Sequence, residues 1–277
     1  MTVQNRKPKN RKIRIGRLLI LLIPVLLAGG AVFGVIAMVS SIMHQNNGEA
    51  AVVSKKEERR VPLKRAAPED TGRTVYLTFD DGCSGETDQI LDTLDAYDAK
   101  ATFFVINGQD NEKLKDIQAR GHSIGLHSYS HKYDEIYASE DAYFSDLNKI
   151  SDVVYEQTGL RPDIIRFPGG SSNGVSSFNP GIMTRLTQAV QDKGYQYFDW
   201  NVDSTDASGN GVPADQIVSN ATNVIGLEDA IVLCHDTDMK PTTAQALPAI
   251  IDAYYDAGYV CKGLTKDSYP SHHTVNN

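Results

Sequence analysis

Two adjacent carboxylates, Asp80 and Asp81, follow the β-rich run Val75–Phe79 and precede Gly82. At a buried strand end such a pair repels itself and loses solvation, a cost that a cation commonly offsets. On an exposed end the same Asp-Asp-Gly would be an ordinary polar turn. His127 and His131 stand four apart. One helical turn there would set both imidazoles on one side, where they could share a metal, the bland alternative being a surface pair. Two histidines with an aspartate in reach make three protein ligands and leave a position for water, which is what catalytic zinc requires.

Three further stretches carry capable groups. Arg166 opens Arg166-Phe167-Pro168-Gly169-Gly170. An arginine beside a carboxylate keeps it ionised and oriented, and glycines let backbone N–H groups approach a ligand. Asp199, Asp203 and Asp206 cluster in YQYFDWNVDSTDA. The first two would face the same side of a regular strand, with Asp206 in the loop beyond. His235 follows the apolar run Ala230–Cys234; with a carboxylate partner it is a candidate proton donor, and without one a core histidine. Taken together these groups offer acid, base, metal ligands and orienting residues, a combination that five unrelated turns do not explain.

They need a scaffold that gathers strand ends. Expected strands are Val75–Phe79, Ala101–Val105, Ser123–Leu126, Ile164–Phe167, Tyr195–Trp200, Ala230–Cys234 and Tyr259–Lys262. Between them apolar residues recur at helical spacing: Ile90, Leu94, Tyr97; Phe144, Leu147, Ile150, Val154; Leu247, Ile250, Tyr254. Strands alternating with helices imply a parallel sheet, whose functional residues collect at the carboxyl ends of its strands. Seven or so β/α units are short of the ~250 residues of a full eight-fold barrel, so an incomplete or distorted barrel is expected, with an open doubly wound sheet as the alternative.

The 277 residues and 41% hydrophobic content suit one mid-sized domain with an appendage. Residues 1–17 hold seven Lys or Arg and no acid, and Leu18–Met43 runs 26 residues without a charge. That run can cross a hydrocarbon core of roughly 30 Å, and the cations should stay in the cytoplasm. A long cleaved signal peptide is the alternative. Residues 44–73 are polar and charge-mixed and read as a flexible linker. A catalytic domain over 74–268 and a tail over 269–277 complete the expected plan. Beyond the span there remain 20 basic against 35 acidic residues, a net of −15, which argues against nucleic acid. Cys83, Cys234 and Cys261 are too few for a disulfide framework and are expected to be unpaired.

In order, TFDDG (Thr78–Gly82), HSYSH (His127–His131), RFPGG (Arg166–Gly170), DSTDA (Asp203–Ala207) and LCH (Leu233–His235) resemble the five motifs of the polysaccharide deacetylase domain, also called the NodB homology domain, of carbohydrate esterase family 4. KATFFVING (Lys100–Gly108) is similar to that family as well, and the resemblance runs from about Thr74 to Thr265. It implies a distorted seven- or eight-stranded β/α barrel. A divalent metal, usually zinc with cobalt, manganese or nickel as alternatives, would be held by Asp81, His127 and His131. Asp80 would be the general base toward water and His235 the general acid toward the amine. Arg166 would orient Asp80, and Asp206 would keep His235 protonated. Leu233 would line the acetyl pocket, and the Gly169 N–H would help hold the oxyanion. Ala207 stands where the family usually has tryptophan, for which Trp200 is a candidate substitute. Gly169 stands where a bulky residue is common, and Cys83 where proline is frequent; Cys83 would lie near Cys234 if both strand ends face the site.

The expected protein is a membrane-anchored, extracytoplasmic hydrolase. Its partners would be the membrane and an N-acetylated cell-wall glycan, first of all N-acetylglucosamine of peptidoglycan, with no protein partner. Chitin-type oligosaccharide, exopolysaccharide and O-acetyl xylan are alternative substrates, and a non-catalytic glycan binder is the alternative class. A glycosidase is disfavoured because adjacent residues of a strand point to opposite faces.

Overall fold

The computed structural model describes residues 61–277 apart from Val224. The basic segment and the uncharged run Leu18–Met43 lie outside the described residues. Among those described, no helix is long and apolar enough to cross a membrane.

Among the described residues there are eight strands and seven α-helices: β1 Thr74–Asp80, α1 Thr87–Ala96, β2 Ala101–Ile106, α2 Leu114–Ala119, β3 Ser123–Ser128, α3 Tyr133–Ile136, α4 Glu140–Thr158, β4 Ile164–Ile165, α5 Ile182–Asp192, β5 Gln196–Tyr197, β6 Val202–Asp203, α6 Ala214–Thr222, β7 Asp229–His235, α7 Pro241–Asp256 and β8 Val260–Cys261. All pairings are parallel, in the order β5-β4-β3-β2-β1-β7-β6, and β8 joins the first two residues of β1. The helices form as their sequences require. In α4, for example, the Ser139 hydroxyl accepts the Ala142 N–H at the start, acids Glu140 and Asp141 fill the first turn, and Gly159 ends the helix at φ 74°. Its Tyr143, Leu147, Ile150 and Val154 face the core.

The strands are buried on both faces, and alternation divides their side chains between two layers. Val75, Leu77 and Phe79 of β1 and Ala230, Val232 and Cys234 of β7 pack under the helices. Tyr76, Phe104, Ile164, Phe198, Ile231 and Leu264 meet in a second cluster on the other side. Side chains from strands spread across the whole sheet can share one small cluster only if the sheet curls around it, so the fold is a curled, incomplete barrel. Among the described residues β5 and β6, its two edges, exchange no ladder hydrogen bonds.

The expected strand Tyr195–Trp200 is only Gln196–Tyr197, and a separate short strand, Val202–Asp203, follows it. Phe198 N–H still reaches Ile165 of the β4 side, whereas Asn201 N–H reaches Ile231 of β7. The chain therefore jogs from one edge of the sheet to the other, and Asp199 and Asp203 are not on one face of a regular strand. Asp199 is buried behind the site, and Asp203 is exposed, accepting the Thr205 N–H. The second half of the expected linker also departs from the reading. Lys64 and Arg65 N–H groups bond to Ala96 O, and the Arg65 guanidinium bonds to Asp252 and Asp256 of α7. The opposite charges of this segment and of α7 fasten it to the domain. The three cysteines are free and buried, as expected. Cys234 faces the helical layer, so its strand position does not present it to the site.

Gly125 of β3 leaves room for the Phe104 ring: a Cβ there would lie 2.4 Å from Cδ1. Gly125→Ala is expected to overpack the barrel interior and destabilise the protein by about 1–3 kcal/mol in equilibrium urea unfolding.

Candidate active site

The five motif stretches meet at the carboxyl ends of β1, β3, β4, β6 and β7. Parallel register sets Asp80 directly across from His235, with Thr78 across from Leu233 one step deeper. Asp80 is the last residue of β1 and is buried. Asp81 then adopts a left-handed φ of 71°. That turn cancels the alternation a strand would impose, so both adjacent carboxylates face one site. Asp81 Oδ1 lies 3.6 Å from His127 Nε2 and 3.5 Å from His131 Nε2, while Asp80 Oδ2 lies 3.9 Å from His127 Nε2. The opposite-faces objection to paired carboxylates therefore fails here, because it assumed regular strand at residue 81.

His127 is on β3 itself, and His131 is presented by a turn with φ 52° rather than by a helical turn. The turn is closed by Asp146 of α4. Its carboxylate accepts from Ser128 Oγ (2.6 Å), Tyr129 N (2.7 Å) and Ser130 N (3.0 Å), and Ser128 Oγ in turn accepts the His131 N–H (2.9 Å). Asp146 was missed in the sequence, although an acid on the apolar face of a helix, between Tyr143 and Leu147, was a readable signal. Two other buried acids play the same part elsewhere. Asp236 accepts Ser84 Oγ and Thr87 Oγ1 and so fixes the loop after Asp81; a Cβ at Gly82 would sit 2.6 Å from its Oδ2. Asp199 accepts the N–H and hydroxyl of Ser171 in the loop after β4.

Asp81, His127 and His131 are a donor set fit for a divalent cation: one ligand atom from each lies within 4.8 Å of the others. Asp81 Oδ1 is buried without a hydrogen-bond partner, and a buried oxygen of that kind calls for a cation or donor. His127 Nδ1 donates to the Arg166 carbonyl at 2.8 Å, which leaves the Nε2 lone pair facing Asp81. Burial, the largest influence on each, pushes Asp81 up and both imidazoles down, so the histidines stay neutral and able to ligate.

Arg166 is wholly buried. One terminal nitrogen donates to Asp80 Oδ1 (2.8 Å) and Thr78 Oγ1 (2.7 Å), the other to Asp199 O (3.0 Å), and Nε to Phe198 O (3.0 Å). The guanidinium lies 4.4 Å from the Phe104 ring centre and 5.7 Å from that of Trp200. On the opposite side His235 Nδ1 donates to Asp206 Oδ1 at 2.8 Å, and Asp206 Oδ2 accepts the His235 N–H (2.7 Å) and Thr243 Oγ1 (2.8 Å). Burial alone would lower His235, but the hydrogen bond and charge of Asp206 outweigh it, and the imidazole is pushed up to about 9. Burial likewise pushes Asp206 up, yet the His235 contacts prevail and hold its carboxyl below the usual range. The pair's stabilisation, counted once, is fully present below the ordinary histidine value of 6.5 and is lost as pH rises through about 9. At the acid end it is present above 3.8 and lost as pH falls through the depressed Asp206 value.

Of the remaining expected residues, Leu233 is buried on the same strand face as His235. Gly169 is exposed in a left-handed turn that Tyr137 OH braces through Pro168 O. Trp200 is half-buried and packs on Gly170, where a Cβ would come within 3.0 Å of the indole. Ala207 is exposed on the rim. A cleft of about 480 Å³ opens beside the metal-ligand set, bounded by Asp81, Ile106, Asp110, His131, Thr237 and Asp238.

Comparison with known proteins agrees with this geometry. The family model described as polysaccharide deacetylase matches residues 67–198. A peptidoglycan-N-acetylglucosamine deacetylase of Bacillus cereus is 30% identical over 232 residues, 80% of this chain and 81% of its own. A chitooligosaccharide deacetylase of Rhizobium leguminosarum bv. trifolii is 30% identical over 224 residues, covering 74% of this chain and 95% of that one. Among solved structures, the catalytic domain of a peptidoglycan N-acetylglucosamine deacetylase from Eubacterium rectale superposes with a TM-score of 0.71 at 44% identity, over 74% of this chain and 94% of that one.

With zinc as probe ion in calorimetric titration, the intact chain is expected to bind one equivalent. Asp146→Ala, which frees the turn carrying His131 while leaving all three ligands, should weaken binding about 10–100-fold.

Proposed function

Because this chain belongs to the polysaccharide deacetylase family, carbohydrate esterase family 4, we propose that it removes N-acetyl groups from N-acetylglucosamine of peptidoglycan. Family membership makes it a hydrolase of N-acetyl amide bonds. The observation that carries the reading at residue level is the register of β1 and β7. It sets a carboxylate held by arginine and an imidazole held by aspartate across from each other, beside a three-donor cluster.

An amide carbonyl is a poor electrophile, so its hydrolysis needs polarisation, a nucleophile near neutral pH, and a proton for the amine. A divalent cation held by Asp81, His127 and His131, zinc by the preference of such a donor set, would supply the polarisation and ease deprotonation of water. Asp80 takes the proton from the attacking water. Arg166 holds that carboxylate in place and, being buried, admits no competing solvent. As the new C–O bond forms and the C–N bond breaks, His235 gives its proton to the departing nitrogen. Acetate and a free amine result. Asp206 keeps His235 charged before transfer and fixes Nδ1 as the bonded nitrogen, which aims Nε2 at the substrate. Leu233 and Trp200 are proposed to enclose the acetyl methyl, and the Gly169 N–H to meet the developing oxyanion.

The peptidoglycan assignment draws support from the names borne by the relatives in Bacillus cereus and Eubacterium rectale. The Rhizobium relative supports chitin-type oligosaccharide as the second reading. The seven cations of residues 1–17 and the uncharged run Leu18–Met43 that follows them support a domain held outside the cell by a membrane anchor. A purely glycan-binding role is disfavoured, because such a protein has no use for a buried Arg166–Asp80 pair or a charged His235.

Purified protein loaded with zinc should release acetate and expose free amines on peptidoglycan, faster than on chitin oligomers. The opposite order would move the assignment to chitin-type substrates, and release from neither would refute deacetylation. Asp80→Asn should lower kcat by about 10²–10⁴ while one metal equivalent still binds. Turnover should decline as pH rises through about 9, where His235 loses its proton. Asp206→Asn should bring that alkaline limb down toward 6.5, the ordinary histidine value. An unmoved limb would take the proton-donor role away from His235.

A further inference from the structure

The chain between β5 and β6 has a structural problem. Phe198 and Asp199 supply the two carbonyls that hold Arg166, which in turn holds Asp80. Yet residues 198–201 lie at the jog where the sheet is interrupted, without the continuous ladder that fixes other strands. The C-terminal segment fills that place. Asp199 N–H donates to Ser271 O at 2.8 Å, and His273 N–H donates back to Asp199 Oδ2 at 2.8 Å. The His273 ring bridges Trp200 O (2.7 Å) and Ser172 Oγ (3.1 Å), and His272 stacks on Tyr197 with centroids 3.8 Å apart. Farther along, Asn277 bonds to Ser176, Gly181 and Thr184. The Asp199 carboxylate is fully buried and accepts three donors, two from Ser171 and one from His273.

We propose that the segment Ser271–Asn277, acting through Asp199, is a positioning element for the general base. It stands in for the missing ladder partner at the jog and thereby fixes the carbonyls that hold Arg166 against Asp80. Asp199 and the backbone N–H of His273 are its positioning residues, and neither touches the substrate. The inference rests on the proposed role of Asp80 for its consequence in turnover, but the placement of Arg166 can be read without turnover. A buried carboxylate deprived of one of three donors either draws in water or shifts, and its own carbonyl moves with it.

The test uses the full chain, a deletion of residues 271–277, and the pair His273→Pro and His273→Ala. The proline removes the N–H to Asp199; the alanine keeps it and loses only the ring. At temperatures where circular dichroism shows each variant folded, the deletion and His273→Pro should lower kcat tenfold or more. KM should stay within threefold, and the zinc stoichiometry unchanged. His273→Ala should retain at least threefold more activity than His273→Pro. In ¹⁵N spectra the Arg166 Nε–H signal, slow to exchange in the intact protein, should shift and exchange faster in His273→Pro than in His273→Ala. Equal behaviour of proline and alanine variants in both kcat and the Arg166 signal would overturn the proposal, as would a folded deletion variant with unaltered kcat. If the intact chain turns over no N-acetylated glycan, the functional reading fails, and the Arg166 signal still decides the positioning role. Should the deletion variant not fold, the two point variants decide.

Discussion

The active end of this molecule depends on a positive charge placed where water cannot reach. Removing a guanidinium from solvent costs several kcal/mol even after relaxation. Arg166 tolerates it because its donors are directed to Asp80, Thr78 and the carbonyls of Phe198 and Asp199, with the Phe104 ring against its face. The arrangement links β1 and β2 with the chain after β4 and the jog after β5 through one side chain. It also explains why the barrel interior is part apolar and part polar: Phe104, Ile164, Phe198 and Ile231 exclude solvent around a group that must remain dry for its bond to Asp80 to be strong.

A second tier of buried acids repeats that logic. Asp146 closes the loop bearing His131, Asp236 the loop after Asp81, Asp199 the loop after β4, and Asp206 holds His235. Each accepts from backbone N–H groups or hydroxyls. The groups that face a substrate are thus carried at strand ends and on the turns after them, while buried carboxylates from the helix α4 and from neighbouring loops set their positions. Such a division lets Asp81 and His131 take up left-handed backbone conformations that a free loop would not keep.

The segments at either end of the described chain are part of this construction. Residues 64–71 are fastened along α7 and the turn after it by Arg65 and Thr71, and residues 271–277 are fastened across the jog by Asn277 and His273. Neither has the apolar periodicity of a helix or strand. Their order comes from polar groups meeting complementary groups that are remote in sequence.

Much of the site was legible because its residue types are chemically unusual where they stand: paired acids after a β-rich run, two histidines four apart, an arginine and a histidine at the ends of apolar strands. The parallel sheet was legible as well, because alternating periodicity is local. What one dimension could not hold was the break at residues 198–201, where hydrogen bonding to Ile165 on one side and Ile231 on the other overrides a β-prone stretch. Nor could it hold the left-handed turn at Asp81 that brings adjacent carboxylates to one side, or which loops Asp199 and Asp236 brace. Composition and spacing determined which groups are available and that they lie at strand ends. Only the tertiary structure decided which carboxylate meets which donor, because those contacts join residues tens to more than a hundred positions apart and depend on how the sheet curls.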